Sequence, residues 1–265
     1  LNIVTIDSRK AAAGLLKLAA LLAAGAVALH WPGHVSMDTS IQLYEASIGK
    51  SAGWQPPFTA ALMNWLGGGE AATGKIVLLC SLLTYGSLGY VAAAVLWHRS
   101  ARGDHRIAAW RVALCALLLL NPVIFVYVGI VWKDVLFASV LTAAVALSFA
   151  AAISPLRRGL ALSLAAVLLL AIGMQVRQQG VFMAPVLLVL PVAAMASARG
   201  WSRSRQVVGA IALASVFLAS LGLTKTLVAD AITGAGDKSS VVGYRSIMHF
   251  DIAGIVARSG TATEA

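Results

Sequence analysis

Four charged residues of this sequence flank long apolar stretches and could carry chemistry: Asp38, Lys133, Asp134 and Arg177. A carboxylate such as Asp38 can act as a general base that takes a proton from a hydroxyl group, or it can hold a divalent cation. Lys133 can contact a phosphate oxygen, and the forked guanidinium of Arg177 suits a phosphate group. Asp134 can orient Lys133 or share a cation. These residue types together indicate a site that binds a phosphate and moves a proton.

Each of these four residues also has a purely structural interpretation, which the sequence leaves open. Asp38 can cap a helix that starts at Thr39 or Ser40. Asp134 at a helix start is favoured by the helix dipole, and Lys133 can extend its ammonium towards water. Arg177 can pair with a nearby acid.

The polar pairs near the C-terminal end give a weaker signal. Asp237-Lys238, Tyr244-Arg245 and His249 with Asp251 are the candidates there. Residues two apart do not share a helix face, and a metal site needs more ligands than His249 and Asp251 supply. We therefore assign them no chemistry.

The composition decides which class of protein must position these side chains. Of the 265 residues, 60% are hydrophobic and only 11% are charged, and the mean hydropathy is +0.86. A water-soluble domain has roughly 25% charged residues, so a soluble enzyme, a disordered chain and a nucleic-acid-binding module are excluded. The apolar runs are long and continuous, which excludes an outer-membrane barrel. The sequence predicts an all-α, polytopic membrane protein.

Seven apolar stretches are long enough, or nearly so, to cross a bilayer of about 30 Å. We place them near 11–29, 75–97, 108–130, 135–153, 158–175, 181–197 and 207–228. The sixth contains Pro185 and Pro191, so we expect it to be kinked or partly re-entrant.

Arginine sets the predicted orientation of the spans. The net charge is +10, and the positive charge concentrates in alternate connections, which marks these as cytoplasmic. The residues concerned are Arg9, Lys10, Arg99, Arg102, Arg106, Arg111, Arg157, Arg158, Arg199, Arg203 and Arg205. The N-terminus is then predicted to be inside, as in a multi-pass protein of the plasma (inner) membrane.

The acidic residues concentrate in the connections on the opposite, predicted outer side. Eight of the ten acidic residues fall there, among them Asp38, Asp134 and Glu70. We predict a transmembrane domain over 1–228 with a long first outer loop at 30–74, in which Phe58–Leu66 forms a short helix at the membrane interface. For the outer tail at 229–265, one interpretation is the start of a truncated soluble part.

Three motifs in this order resemble the GT-C superfamily of membrane glycosyltransferases, which use sugars carried on polyprenyl phosphate or diphosphate. The motifs are Pro32-Gly33-His34-Val35-Ser36-Met37-Asp38, Trp54-Gln55-Pro56-Pro57 and Trp132-Lys133-Asp134 followed by Arg177. The resemblance covers roughly residues 25–180. Several bacterial members have Trp-His-Pro-Pro where this chain has Gln55, and members usually carry more spans and a soluble outer domain.

The resemblance implies a function and a set of site residues. Asp38 is implied as the catalytic base, or as a metal ligand with a divalent cation as cofactor. Lys133, Asp134, Arg177, Trp54 and Gln55 are implied to bind the substrate. The implied partners are membrane lipid and a polyprenyl-phosphate sugar donor, and the implied reaction is glycosyl transfer at the outer face of the membrane.

Two other functions fit the same residues. A lipid or small-molecule transporter or flippase would move its substrate without forming a bond. A non-catalytic membrane subunit would use the polar residues as caps and interface contacts. Few charged residues lie in the span centres, which argues against a proton-coupled or ion-coupled pump.

Overall fold

A computed structural model describes residues 4–51 and 55–232 of the protein. Within these ranges the chain forms eleven helices and one two-stranded sheet. In chain order the elements are β1 (Thr5–Asp7), α1 (Ser8–His30), α2 (Met37–Ile48), α3 (Phe58–Trp65), α4 (Gly69–Ala101), β2 (Arg106–Ala108), α5 (Ala109–Leu119), α6 (Pro122–Tyr127), α7 (Lys133–Ile153), α8 (Leu156–Val176), α9 (Gly180–Leu187), α10 (Val189–Arg199) and α11 (Arg203–Ala231).

Seven helical segments are long and apolar enough to cross a membrane. They are α1, α4, α5 with α6, α7, α8, α9 with α10, and α11. The predicted all-α, multi-pass membrane bundle is therefore confirmed. Six of the seven segments exceed the predicted spans because their helices continue into polar residues: α4 has 33 residues and includes Glu70 and Arg99. The last span likewise passes residue 228 and ends at Ala231. The third segment, Ala109–Tyr127, is shorter than the predicted 108–130.

Proline interrupts two of the seven spans. Pro122 has no N–H to donate, and it occupies the start of α6, where Asn121 accepts a hydrogen bond from the backbone N–H of Val123 at 2.9 Å. The sixth span divides at Leu188, between Pro185 inside α9 and Pro191 inside α10. The segment runs from one end of the bundle to the other, because α9 begins just after α8 ends and Arg199 at the end of α10 contacts Ser154 at the carboxyl end of α7.

The arginine-rich connections meet at one end of the bundle. There β1 pairs antiparallel with β2, with Ile6 opposite Ile107, and the Ser8 N–H donates to the His105 carbonyl at 2.9 Å. At the same end, Arg199 donates to the Ser154 carbonyl at 2.6 Å. We name this the arginine-rich end, and its assignment to the cytoplasm stays a prediction.

The core consists of two clusters that share α4. One joins α4 to α1 through small residues, and Gly89 lies so close to α1 that an added Cβ would be 2.5 Å from the Cβ of Ala19. Small residues permit such close helix approach in lipid. The other cluster joins α3, α4, α7 and α8. It includes most of α3, whose buried residues are Phe58, Thr59, Ala60, Ala61 and Met63.

The predicted outer loop at 30–74 contains two helices. The helix predicted over Phe58–Leu66 is present as α3, which packs against α4, α8 and α11; its place at the membrane interface stays a prediction. A second helix, α2, precedes it and contacts it directly. The loop is thus a folded cap over the end of the bundle opposite the arginine-rich end.

Candidate functional site

A short backbone pairing positions the first half of the site. His34 forms a parallel bridge with Ile130: its N–H donates to the Gly129 carbonyl at 2.9 Å, and the Val131 N–H donates to the His34 carbonyl at 3.0 Å. Gly33 beside it has φ of +113° and packs closely against Val131, a conformation that glycine adopts without a steric penalty. Two segments about a hundred residues apart in sequence are therefore held side by side.

Ser36 continues this connection into α2. Its Oγ accepts a hydrogen bond from the Thr39 N–H at 3.3 Å, which caps the helix. The same Oγ accepts from the indole Nε1 of Trp132 at 2.6 Å. The Thr39 hydroxyl donates in turn to the Val131 carbonyl. These contacts dock the first turn of α2 against the residues that precede α7.

Asp38 is not the cap of this helix, contrary to the structural interpretation of the sequence. Helix α2 begins at Met37, earlier than Thr39 or Ser40, and Ser36 is its cap. Asp38 lies within the first turn, where the helix dipole favours a carboxylate. Because Ser36 satisfies the backbone donors, the Asp38 side chain is available to other partners.

Lys133 is the partner of Asp38. The Lys133 Nζ and the Asp38 Oδ2 are 3.1 Å apart, and their side chains are 18% and 43% exposed. Lys133 is the first residue of α7, so the docking of α2 described above sets the distance. The pair is half-buried, and a surface ion pair of this kind contributes about 1 kcal/mol or less.

Asp134 and Arg177 form a second ion pair beside the first. A terminal guanidinium nitrogen of Arg177 contacts the Asp134 carboxylate, and both side chains are 35% exposed. Arg177 follows the last residue of α8 as its C-cap, and its Nε also donates to Gln179 Oε1 at 2.7 Å. Because Lys133 and Asp134 are consecutive at the start of α7, the two ion pairs lie at the same end of that helix, and we call the four residues the charge quartet: Asp38, Lys133, Asp134 and Arg177.

Gln55 has its described hydrogen bond with α2 and not with the quartet. It is 6% exposed, and its Oε1 accepts a hydrogen bond from Nε2 of Gln42, which is 1% exposed. Gln42 follows Asp38 by one helical turn in α2. The described contact therefore makes Gln55 a support for α2, and the structure does not bring it to the four charged residues. Trp54 and the tail residues from Asp237 to Asp251 lie outside the described residues.

An apolar cavity opens beside the quartet. It has a volume of about 440 Å³ and lies between α4, α6 and α7. Asp134 is the member of the quartet that lines it, together with Trp132, Tyr127, Val135 and Ile124. A volume of several hundred Å³ with few polar groups is typical of ligand sites. An elongated apolar group can thus lie in the cavity while an attached polar group reaches the quartet.

Sequence reasoning missed the residues that hold the quartet together. Ser36, Thr39 and the Trp132 indole were not proposed as site residues, and neither was Gln42. Ser36 had a recognisable signal, because a serine just before a helical pattern is a common cap. The hydrogen bond between Gln175 on α8 and Thr224 on α11 was also missed.

We assign no metal site. Among residues 4–51 and 55–232, no group of three or more His, Cys, Asp or Glu side chains lies close enough together to hold a metal ion. The quartet contains two carboxylates, each paired with a cation.

Comparison with protein-family models, with curated proteins and with solved structures finds no match for this chain. Its function is therefore argued from the geometry of the quartet and its cavity.

Proposed function

We propose that this membrane protein transfers a glycosyl group from a polyprenyl-phosphate-linked donor to an acceptor hydroxyl at the outer face of the plasma membrane. The observation that carries the proposal is a pair of adjacent ion pairs, one of whose members, Asp134, lines an apolar cavity. A lipid-linked sugar has the matching composition: a long apolar chain, a phosphate and a sugar at the membrane surface.

The charge balance of the quartet suggests how donor binding prepares the reaction. Two cations and two carboxylates sum to zero, so an arriving phosphate must compete with Asp38 for Lys133 or with Asp134 for Arg177. A phosphate that takes Lys133 as its partner releases Asp38. The released carboxylate is free to accept a proton, and the cation that held it now faces the leaving group.

The transfer step then balances as follows. The acceptor oxygen forms a bond to the anomeric carbon of the sugar, and its proton passes to the Asp38 carboxylate. The bond between the anomeric carbon and the phosphate oxygen breaks, and its electron pair stays on the phosphate. Lys133 and Arg177 stabilise that negative charge, which is the type of interaction that contributes most in such reactions.

The test is glycosyl transfer by the protein in phosphatidylcholine vesicles. The donors are radiolabelled polyprenyl monophosphate sugars, assayed as a panel of hexoses and pentoses, and the readout is label leaving the lipid fraction. Asp38→Asn is expected to lower the rate by about 10²-fold or more, with elution and melting unchanged. Glu70→Gln is the matched control, because Glu70 is an exposed acid on α4 in the predicted outer loop.

Three outcomes separate the proposal from its rivals. Full activity in Asp38→Asn removes that carboxylate from the mechanism. Movement of the labelled lipid across the vesicle membrane without loss of label supports a transporter. Unchanged behaviour in all four single variants of the quartet, together with co-purification of a partner protein, supports a non-catalytic subunit.

A further inference from the structure

A second and larger apolar cavity lies towards the arginine-rich end. Its volume is about 750 Å³, and helices α4, α5, α7 and α9 form its walls. Each helix contributes apolar side chains to the lining, for example Val95 from α4, Val112 from α5, Val145 from α7 and Leu187 from α9. It is distinct from the cavity beside the quartet, and nothing in the proposed reaction uses it.

The cavity is accessible from the surrounding lipid because α5 packs loosely. Of the residues of α5, only Leu119 is buried, and Leu114 and Leu117 are 56% and 64% exposed. In a bilayer, exposed leucines of this kind face acyl chains. A lipid chain can therefore enter between α5 and α7 without an opening of the fold.

Two arginines line the same cavity. Arg99 comes from the last turns of α4, and Arg111 comes from the first turn of α5. The Arg111 guanidinium lies 5.3 Å from the centre of the Trp110 ring, and it has no ion-pair partner among the residues that the structure describes. Arginine side chains at the end of an apolar cavity provide the charge that complements a phosphodiester.

Arg99 adds a second, independent observation. One of its terminal nitrogens pairs with Asp104, but its Nε is buried and has no hydrogen-bond partner in the described part of the chain. A buried donor without a partner is costly, typically by about 1–3 kcal/mol. The Arg99 side chain as a whole is 37% exposed, so a shift of its guanidinium towards the cavity would bring this donor to a phosphate oxygen.

An excess of arginine at this end is already expected from the orientation of a membrane protein. That rule accounts for arginines in water-exposed connections, such as Arg205. It does not account for two arginines that line one apolar cavity, or for the unpaired Nε of Arg99. The arrangement therefore calls for a ligand with both an anionic and an apolar part.

We propose that this cavity binds an anionic phospholipid from the leaflet at the arginine-rich end, with an acyl chain in the cavity and the phosphate between Arg99 and Arg111. The site is independent of the proposed glycosyl transfer. It recognises the headgroup by net negative charge, so phosphatidylglycerol binds more tightly than phosphatidylcholine, whose headgroup has no net charge.

The experiment is native mass spectrometry of the full chain, purified in a neutral detergent and stripped of lipid. Dioleoyl phosphatidylglycerol or dioleoyl phosphatidylcholine is added, and the fraction of protein that retains one lipid is measured. One cation near the membrane surface contributes about 1 kcal/mol to the binding of an anionic lipid. Arg111→Gln is therefore expected to weaken phosphatidylglycerol binding about fivefold and to weaken phosphatidylcholine binding less, because the choline ammonium offsets the charge of the phosphate.

Two further variants test the two halves of the ligand. Arg205→Gln removes an exposed cation at the same end, outside the cavity, and is expected to keep the preference for phosphatidylglycerol. Val145→Trp fills the cavity from a side chain that is 43% exposed, so it is expected to reduce the binding of both lipids without disturbing the core. Glycerol 3-phosphate, which has the charge but no acyl chain, is not expected to displace bound lipid.

The proposal is overturned by any of four results. They are equal retention of the two lipids by the unaltered protein, an equal loss in Arg205→Gln and Arg111→Gln, unchanged binding in Val145→Trp, and displacement of the lipid by glycerol 3-phosphate. The elution profile and melting temperature of each variant show that it is folded, because Arg111, Arg205 and Val145 are all exposed.

Discussion

Gly33 is the residue on which the position of Asp38 depends most directly. Its φ of +113° is unfavourable for any residue with a Cβ, and an added Cβ would lie 2.5 Å from Cγ2 of Val131 and 2.9 Å from Cγ2 of Val77. Gly33→Ala combines a backbone cost of about 1–3 kcal/mol with an overpacking cost of about 1–3 kcal/mol. We expect a total loss of roughly 2–6 kcal/mol, together with displacement of the segment that leads to Asp38.

Gly103→Ala is the matched control for the backbone cost alone. Gly103 has φ of +89°, but its added Cβ would meet nothing within 4 Å. Unfolding in mixed micelles of a mild detergent and sodium dodecyl sulfate, followed by tryptophan fluorescence, gives the stability of both variants. Gly33→Ala should be less stable than Gly103→Ala by about 1–3 kcal/mol. Equal stability of the two variants would refute the close packing on which the docking of α2 rests.

Three further predictions concern other parts of the bundle. Gly89→Ala should destabilise the protein by about 1–3 kcal/mol in the same unfolding assay, because α1 lies against that position. Gly86→Ala should stabilise the protein by about 1 kcal/mol, because its added Cβ meets nothing within 4 Å. A reversed order of stability would contradict the α1–α4 packing. Ser36→Ala removes a helix cap and the acceptor of the Trp132 indole N–H, so the free energy of unfolding is expected to fall by about 1–2 kcal/mol. An unchanged melting temperature would show that these hydrogen bonds do not hold α2 in place. The hydrogen bond from the Lys10 backbone N–H to the Asp7 side chain lowers the pKa of that carboxyl. The ionised Asp7 cap on α1 therefore stabilises the protein at any pH above the usual carboxyl pKa. This stabilisation is lost as the pH falls through the lowered pKa. Asp7→Asn should remove this acid-side loss from melting curves measured between neutral and acidic pH, and an identical pH dependence would be evidence against it.

The spans could be predicted from the sequence because lipid imposes a simple requirement. A helix that crosses the bilayer satisfies its own backbone hydrogen bonds and needs about twenty apolar residues. Each of the seven predicted stretches coincides with such a helical segment, although the third, predicted over 108–130, extends beyond Ala109–Tyr127 at both ends. The ends could not be placed by apolarity, because α4 continues as a helix through polar residues such as Glu70 and Arg99. The break before Pro122 could have been placed, since proline at a helix start is a local signal.

The side-chain contacts within the quartet could be predicted only in part. Apolarity and arginine counting place Asp38, Lys133 and Arg177 at one end of the bundle, but they do not bring side chains into contact. The contact depends on the bridge between His34 and Ile130, which is a pairing of two short loops without a sequence pattern. The choice of Ser36 over Asp38 as the cap could not be decided in advance, because both residue types are strong caps.

The two cavities have a dividing wall in common. Leu88 and Thr142 line both of them, so the space beside the quartet and the space beside Arg99 are separated by single side chains. A larger side chain at Leu88 or Thr142 would therefore narrow both spaces, whereas a smaller one would join them into a single passage between α4 and α7.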